Sequence, residues 1–168
     1  IVPLNNIETP QGAYEKDLDN ILPFWVGTWK GVINNNEYTF VFNLFPNTLI
    51  NYGFGTTYYR DELMIKFSVK DLNTNIIRYS DLNVTDYNDY KISFAALLFN
   101  GDYVFIFRDS VQNCFNGAEF TLIKNNLNQI EFRNFSFLEF LYFDDCPYTN
   151  RSQIPFFLPD GNFILTRQ

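Results

Sequence analysis

The sequence holds no histidine, one methionine, two cysteines and only four alanines among its 168 residues. Each shortage excludes something. Without histidine there is no Ser-His-Asp triad, no Cys-His nucleophile pair and no imidazole-ligated metal. Two cysteines are too few for a Cys-only zinc site. Cations are scarce as well: 12 Lys and Arg stand against 19 Asp and Glu, a formal charge of -7. The resulting pI near 4.5 argues against nucleic acid, whose phosphates demand a basic surface. No apolar run approaches the ~18–20 residues of a membrane helix, so no transmembrane segment is expected. Neither a cofactor nor a metal is expected.

What is present points to strands. One residue in five is aromatic, with 20 Phe and 11 Tyr, and Asn occurs 22 times. Scarce Ala with abundant Phe, Tyr, Ile and Thr favours β-structure. Asn suits turns because it tolerates the left-handed conformation. The length fits one domain with a real core. The chain starts at Ile1 without Met. The simplest expectation is a removed signal peptide, and hence a secreted, periplasmic or outer-surface protein; a chain trimmed by other means would start the same way. Cys114 and Cys146 lie in polar, loop-like stretches. Export predicts that they pair, closing a loop of roughly thirty residues worth about 3–4 kcal/mol in the chain-entropy account; the alternative is two separate buried thiols.

Residues 1–23 read as a lead-in with one short helix. Thr9 serves as its cap, Pro10 suits a first helical position, and Tyr14, Leu18, Ile21 and Leu22 share a face before Pro23. From Phe24 the period is two. Leu63, Ile65, Phe67 and Val69 alternate with Met64, Lys66, Ser68 and Lys70, the mark of a half-buried antiparallel strand. Asn34-Asn35-Asn36 reads as a turn, Asn100-Gly101 as a tight hairpin turn, and Asn125-Asn126 as another. Main strands are expected over 24–134, followed by an aromatic arm and a closing strand over 135–168. Such a meander predicts one all-β antiparallel barrel, with a sandwich as the rival.

Three motifs follow one another. Gly27-Thr28-Trp29 opens the first strand, Thr85-Asp86-Tyr87 precedes a hairpin, and Arg108 ends that hairpin's second strand. Together they resemble the lipocalin (calycin) signature over roughly residues 20–110. The resemblance implies a lipocalin-like barrel in which Arg108 packs on the indole of Trp29 or Trp25 and Asp86 hydrogen-bonds backbone amides at a corner. After Arg108 the chain departs from that pattern, reading as further strands where a lipocalin has a long helix. The strings Lys16-Asp17-Leu18-Asp19-Asn20, Gly27-Thr28-Trp29-Lys30-Gly31 and Tyr58-Tyr59-Arg60-Asp61-Glu62-Leu63 also resemble small secreted Bacteroidetes proteins of unknown function. That resemblance implies export and supplies no activity.

Chemistry is left to carboxylates and tyrosines. Asp144-Asp145 and Arg60-Asp61-Glu62 are the densest acidic clusters, yet neighbours on a strand point to opposite faces. A carboxylate-only hydrolase would need two acids converging on one pocket. Asp86, Asn88 and Asp89 resemble the start of a calcium loop that lacks its turn Gly and distal Glu. The Asn83, Asn134 and Asn150 glycosylation patterns read as chance. A strand over 135–143 would put Phe135, Phe137, Glu139, Leu141 and Phe143 on one face.

The reading is therefore a non-enzymatic protein binding a small apolar or amphipathic ligand in the barrel. Phe40, Phe42, Phe67, Phe94, Phe105 and Phe107 are the candidate ligand-facing aromatics. The alternatives are a surface module that binds glycan or protein through exposed aromatics around 135–143 or at Tyr58-Tyr59, and a structural barrel with a filled core.

Overall fold

The computed structural model describes residues 1–4, 9–53, 55–98, 100–111, 114–138 and 146–168. Among the described residues eleven strands form in chain order: β1 (Val2–Pro3), β2 (Tyr14–Lys16), β3 (Gly27–Ile33), β4 (Asn36–Gly53), β5 (Thr56–Asp71), β6 (Ile77–Ser80), β7 (Ile92–Leu97), β8 (Tyr103–Val111), β9 (Cys114–Asn126), β10 (Gln129–Phe137) and β11 (Phe163–Arg167). Eight of them, β3, β4, β5, β7, β8, β9, β10 and β11, form a closed antiparallel barrel. The β11–β3 pair completes the ring, with Thr166 opposite Lys30 and Arg167 opposite Trp29. Gly31 makes that approach feasible, since a Cβ there would lie 2.3 Å from the Ile164 carbonyl oxygen and 2.9 Å from the Phe163 ring.

Asparagine shapes the turns. Asn34 and Asn35 both take positive φ, 49° and 61°, and Ile33 pairs with Asn36 across them. This two-residue connection has the backbone twist that antiparallel neighbours need. Another asparagine, Asn47 with φ 54°, marks the break in register between Phe45 and Thr48 of β4. Below the break the β4–β5 hairpin belongs to the barrel wall. Above it, β5 leaves β7, to which it pairs only through Met64–Ser93 and Ile65–Ile92.

The expected N-terminal helix does not form. Among the described residues the only helical pieces are three-residue 3-10 turns: Leu22–Phe24, Tyr87–Asp89 and Arg151–Gln153. Tyr14–Lys16 is instead a strand, paired in parallel with Tyr59 and Arg60 of β5. Too few residues were available for a self-sustaining helix, and two carboxylates capture the backbone amides. Asp61 accepts from the Asp17 amide at 3.0 Å. Asp17 accepts from those of Ile21 at 3.0 Å and Leu22 at 2.8 Å.

The barrel interior is packed ring on ring. Trp25, Trp29, Phe40, Phe42, Phe67, Phe94, Phe105, Phe120 and Phe132 are each under 2% exposed or at that limit. Phe40 stacks on Phe67 at 5.7 Å, Phe105 on Phe120 at 5.8 Å, and Phe120 on Phe132 at 4.5 Å. Burying each such ring contributes about 1.5–3 kcal/mol, so this column dominates the fold's cohesion. The segment after 145 packs on the interior cluster, with Phe156 against Phe107, Phe135 and Phe137, and Phe157 stacked on Tyr79. A disulfide between Cys114 and Cys146 ties that segment to β9, with Cα atoms 5.0 Å apart. Such a bond points to an oxidising, extracytoplasmic setting.

Candidate functional site

On the outer wall, where β5 parts from β7, lies a groove of about 580 Å³. The period-two alternation puts Leu63, Ile65, Phe67 and Val69 into the core. It leaves Tyr58, Arg60, Glu62 and Met64 on the opposite face, where they line the groove. Ser93 and Ala95 of β7, and Ile106 and Arg108 of β8, continue the floor. Tyr87, Asn88, Tyr90 and Lys91 form the facing side.

That side is held by specific contacts. Asp86 caps the Tyr87–Asp89 turn, accepting from the Asn88 amide at 2.9 Å. Tyr87 and Tyr90 pack edge-on to Phe45 at 5.4 and 5.3 Å. Lys66 donates to the Val84 carbonyl at 2.9 Å. Thr85 and Asp86 are solvent-exposed. The cluster Arg60-Asp61-Glu62 is divided between faces, as adjacent strand residues must be. Asp61 binds the N-terminal segment, accepting from the Tyr14 hydroxyl at 2.5 Å and from the Asp17 and Asn47 amides. Burial pushes its carboxyl up, but these hydrogen bonds and nearby Lys16 outweigh that and hold it below the ordinary range.

Arg60 and Glu62 turn toward the groove. The Arg60 guanidinium lies 3.4 Å from Glu15 of β2 and 3.5 Å from Glu62. It reaches the Ala95 carbonyl at 3.4 Å, bridging the gap between β5 and β7, and sits 5.4 Å from the Phe94 ring centre. Glu15 and Glu62 are each 5% exposed. Burial raises the Glu62 carboxyl to about 7; Arg60 lowers it and Glu15 raises it further. Lys91 is bonded to Asp109 at 2.9 Å. Arg108 is exposed and, among the described residues, its side chain has no charged or hydrogen-bonding partner.

The expected contact between Arg108 and Trp29 or Trp25 is therefore not made. The Thr85-Asp86-Tyr87 loop precedes the fourth barrel strand, because β3, β4 and β5, the last two 18 and 16 residues long, occupy the chain that six shorter strands would use. Arg108 thus lies on the fifth barrel strand, away from β3. Arg167, on the strand that adjoins β3, takes the place assigned to it. Its guanidinium carbon is 4.2 Å from the Trp29 ring centre. It donates to the Val26 carbonyl at 3.0 Å and to that of Phe24. Gly27, with φ 122°, lets the chain turn beneath that guanidinium, 3.6 Å from where a Cβ would stand. Trp29 Nε1 in turn donates to the Trp25 carbonyl at 2.8 Å. A basic residue at the end of a strand opposite the Gly-x-Trp strand was the signal to seek.

The other candidates fall as follows. Phe40, Phe42, Phe67, Phe94, Phe105 and Phe107 all face the interior and meet other side chains there; Phe94 also reaches the groove's edge. Tyr58 is 8% and Tyr59 40% exposed. Phe135 and Phe137 share a face, their rings 4.9 Å apart. Phe137 is 49% exposed, with the Arg151 guanidinium 3.4 Å from its ring centre. Glu139, Leu141, Phe143, Asp144 and Asp145 lie outside the described residues. No group of three or more Cys, Asp or Glu suited to a metal occurs among the described residues. Comparison of the chain with protein-family models, with curated proteins and with solved structures finds no match.

Proposed function

We propose that this protein is a non-catalytic, lipocalin-like binder of a small amphipathic ligand, and that the ligand lies in the outer groove rather than among the interior rings. The groove itself is the observation that carries the reading. Its 580 Å³ falls within the range of small-molecule sites, about 300–1,000 Å³. It sets an apolar floor of Ile50, Met64, Ala95 and Ile106 beside tyrosine edges and a few charged groups. The interior rings, by contrast, already satisfy one another.

A non-catalytic role fits the acids. Paired carboxylates that hydrolyse a glycoside flank an open gap about 5–9 Å wide. Here the guanidinium of Arg60 stands between Glu15 and Glu62.

Titration with the uncharged fluorescent amphiphile N-phenyl-1-naphthylamine tests the placement. Ala95→Trp, which fills the groove, is expected to weaken saturable binding at least tenfold, while Phe107→Leu, in the interior, leaves it within twofold. Binding that survives Ala95→Trp and is lost in Phe107→Leu, with both variants folded by circular dichroism, would overturn it.

A further inference from the structure

We infer, building on that reading, that the groove selects amphiphiles bearing a single anionic head group, a carboxylate, seated on the Arg108 guanidinium. Three cations line the groove, and two are already committed. Arg60 is held between Glu15 and Glu62. Lys91 is bonded to Asp109. Arg108 alone offers a whole guanidinium, a planar fork that matches a carboxylate in two parallel hydrogen bonds. Ile106, two residues earlier on the same face of β8, lies beside Met64 and Ala95 as apolar lining. A head on Arg108 therefore leaves a tail over that floor. One unpaired cation matches one charge, so a dianion gains little over a monoanion.

Glu62 is the acid on the same lining, and it tunes the preference. The groups acting on it are Arg60 on its own strand and Glu15 on β2, with Tyr58 and Tyr87 nearby; Lys91 and Arg108 line the same groove. With Glu62 ionised, the three cations are balanced by Glu15, Glu62 and Asp109. With Glu62 protonated, Arg60 keeps Glu15 as its one acidic partner and the groove lining carries one net positive charge, which favours an anionic head group on Arg108. Anion affinity should therefore rise as pH falls from 8 to 6.

Calorimetric titration of the intact, disulfide-bonded protein with decanoate, decyl phosphate, decanol and decylamine below their micelle concentrations tests this. Decanoate is expected to bind tightest. Arg108→Gln should weaken decanoate about tenfold, equivalent to ~1.4 kcal/mol, and leave decanol within twofold. Glu62→Gln should flatten the rise in decanoate affinity between pH 8 and 6. Decanoate binding unchanged by Arg108→Gln, decylamine binding more tightly than decanoate, or decyl phosphate exceeding decanoate tenfold would each overturn the inference while leaving the groove as the site. Failure of all four probes to bind would instead remove the underlying reading.

Discussion

Two arginines invert the roles that the order of motifs suggests for them. Arg167 pins the end of the Leu22–Phe24 turn and the residues after it, through the Phe24 and Val26 carbonyls, while covering Trp29. Arg167→Ala should destabilise the fold by about 2–3 kcal/mol, combining a cation–π contact with charge-assisted hydrogen bonds. Arg108→Ala should change stability by less than about 0.5 kcal/mol, as an exposed substitution without partners does. Urea midpoints of the two variants read both outcomes. Glu62 makes a different prediction. Its carboxyl holds a proton up to about pH 7 in the fold but releases it near the ordinary Glu value of ~4.3 when unfolded. Between those values the folded state binds more protons, so stability falls as pH rises through the window and levels off above it. Glu62→Gln should remove most of that decline, about 2 kcal/mol between pH 5 and 8, as measured by urea unfolding at both pH values.

At the scale of elements, the N-terminal segment and the barrel's seam depend on single residues. Asp61 ties Tyr14, Asp17 and Asn47 to one carboxylate. Because its folded carboxyl titrates below its unfolded one, its contribution is present above the ordinary carboxylate range and lost as pH falls beneath it. Asp61→Ala should speed amide exchange over 14–22 before the barrel strands respond. Gly31→Ala should weaken the β3–β11 seam, because the added carbon collides with the backbone of Ile164; a lowered melting temperature and faster exchange at Thr166 would report it. Alternation at Leu63–Val69 and the asparagine turn at 34–35 were legible, since each rests on local chemistry. The helix was misread because its capping signals were outcompeted by Asp61, 44 residues from the amide of Asp17 that it captures. The groove left no local trace, because it arises from a register break near Asn47 and from two strands separating after a short pairing.

For the whole molecule, the disulfide links the aromatic segment after 145 to a barrel whose rings already cohere. Its loss should cost about 3–4 kcal/mol on the chain-entropy account, a melting-temperature drop of roughly 10 °C at this size. Scanning calorimetry of the Cys114→Ser/Cys146→Ser variant checks this, and far-ultraviolet circular dichroism below the transition should still show the barrel. All-β architecture was visible in composition and periodicity. The strand count of the ring was not, because two strands of 18 and 16 residues cannot be told from four shorter ones by alternation alone.

The pairing of Trp29 with Trp25 carries an optical consequence. Both indoles are fully buried at one end of the barrel, one joined by its Nε1 to the other's carbonyl, and only Trp29 lies under a guanidinium. Under excitation selective for tryptophan over the 11 tyrosines, the native emission comes from these two buried indoles and should be blue-shifted. Trp25→Phe and Trp29→Phe would separate the two emitters. Loss of the Arg167 cover should redden the spectrum of the chain that keeps Trp29 and leave that of the chain keeping only Trp25 nearly unchanged, so the colour of the emitted light reports whether the last strand has closed against the first.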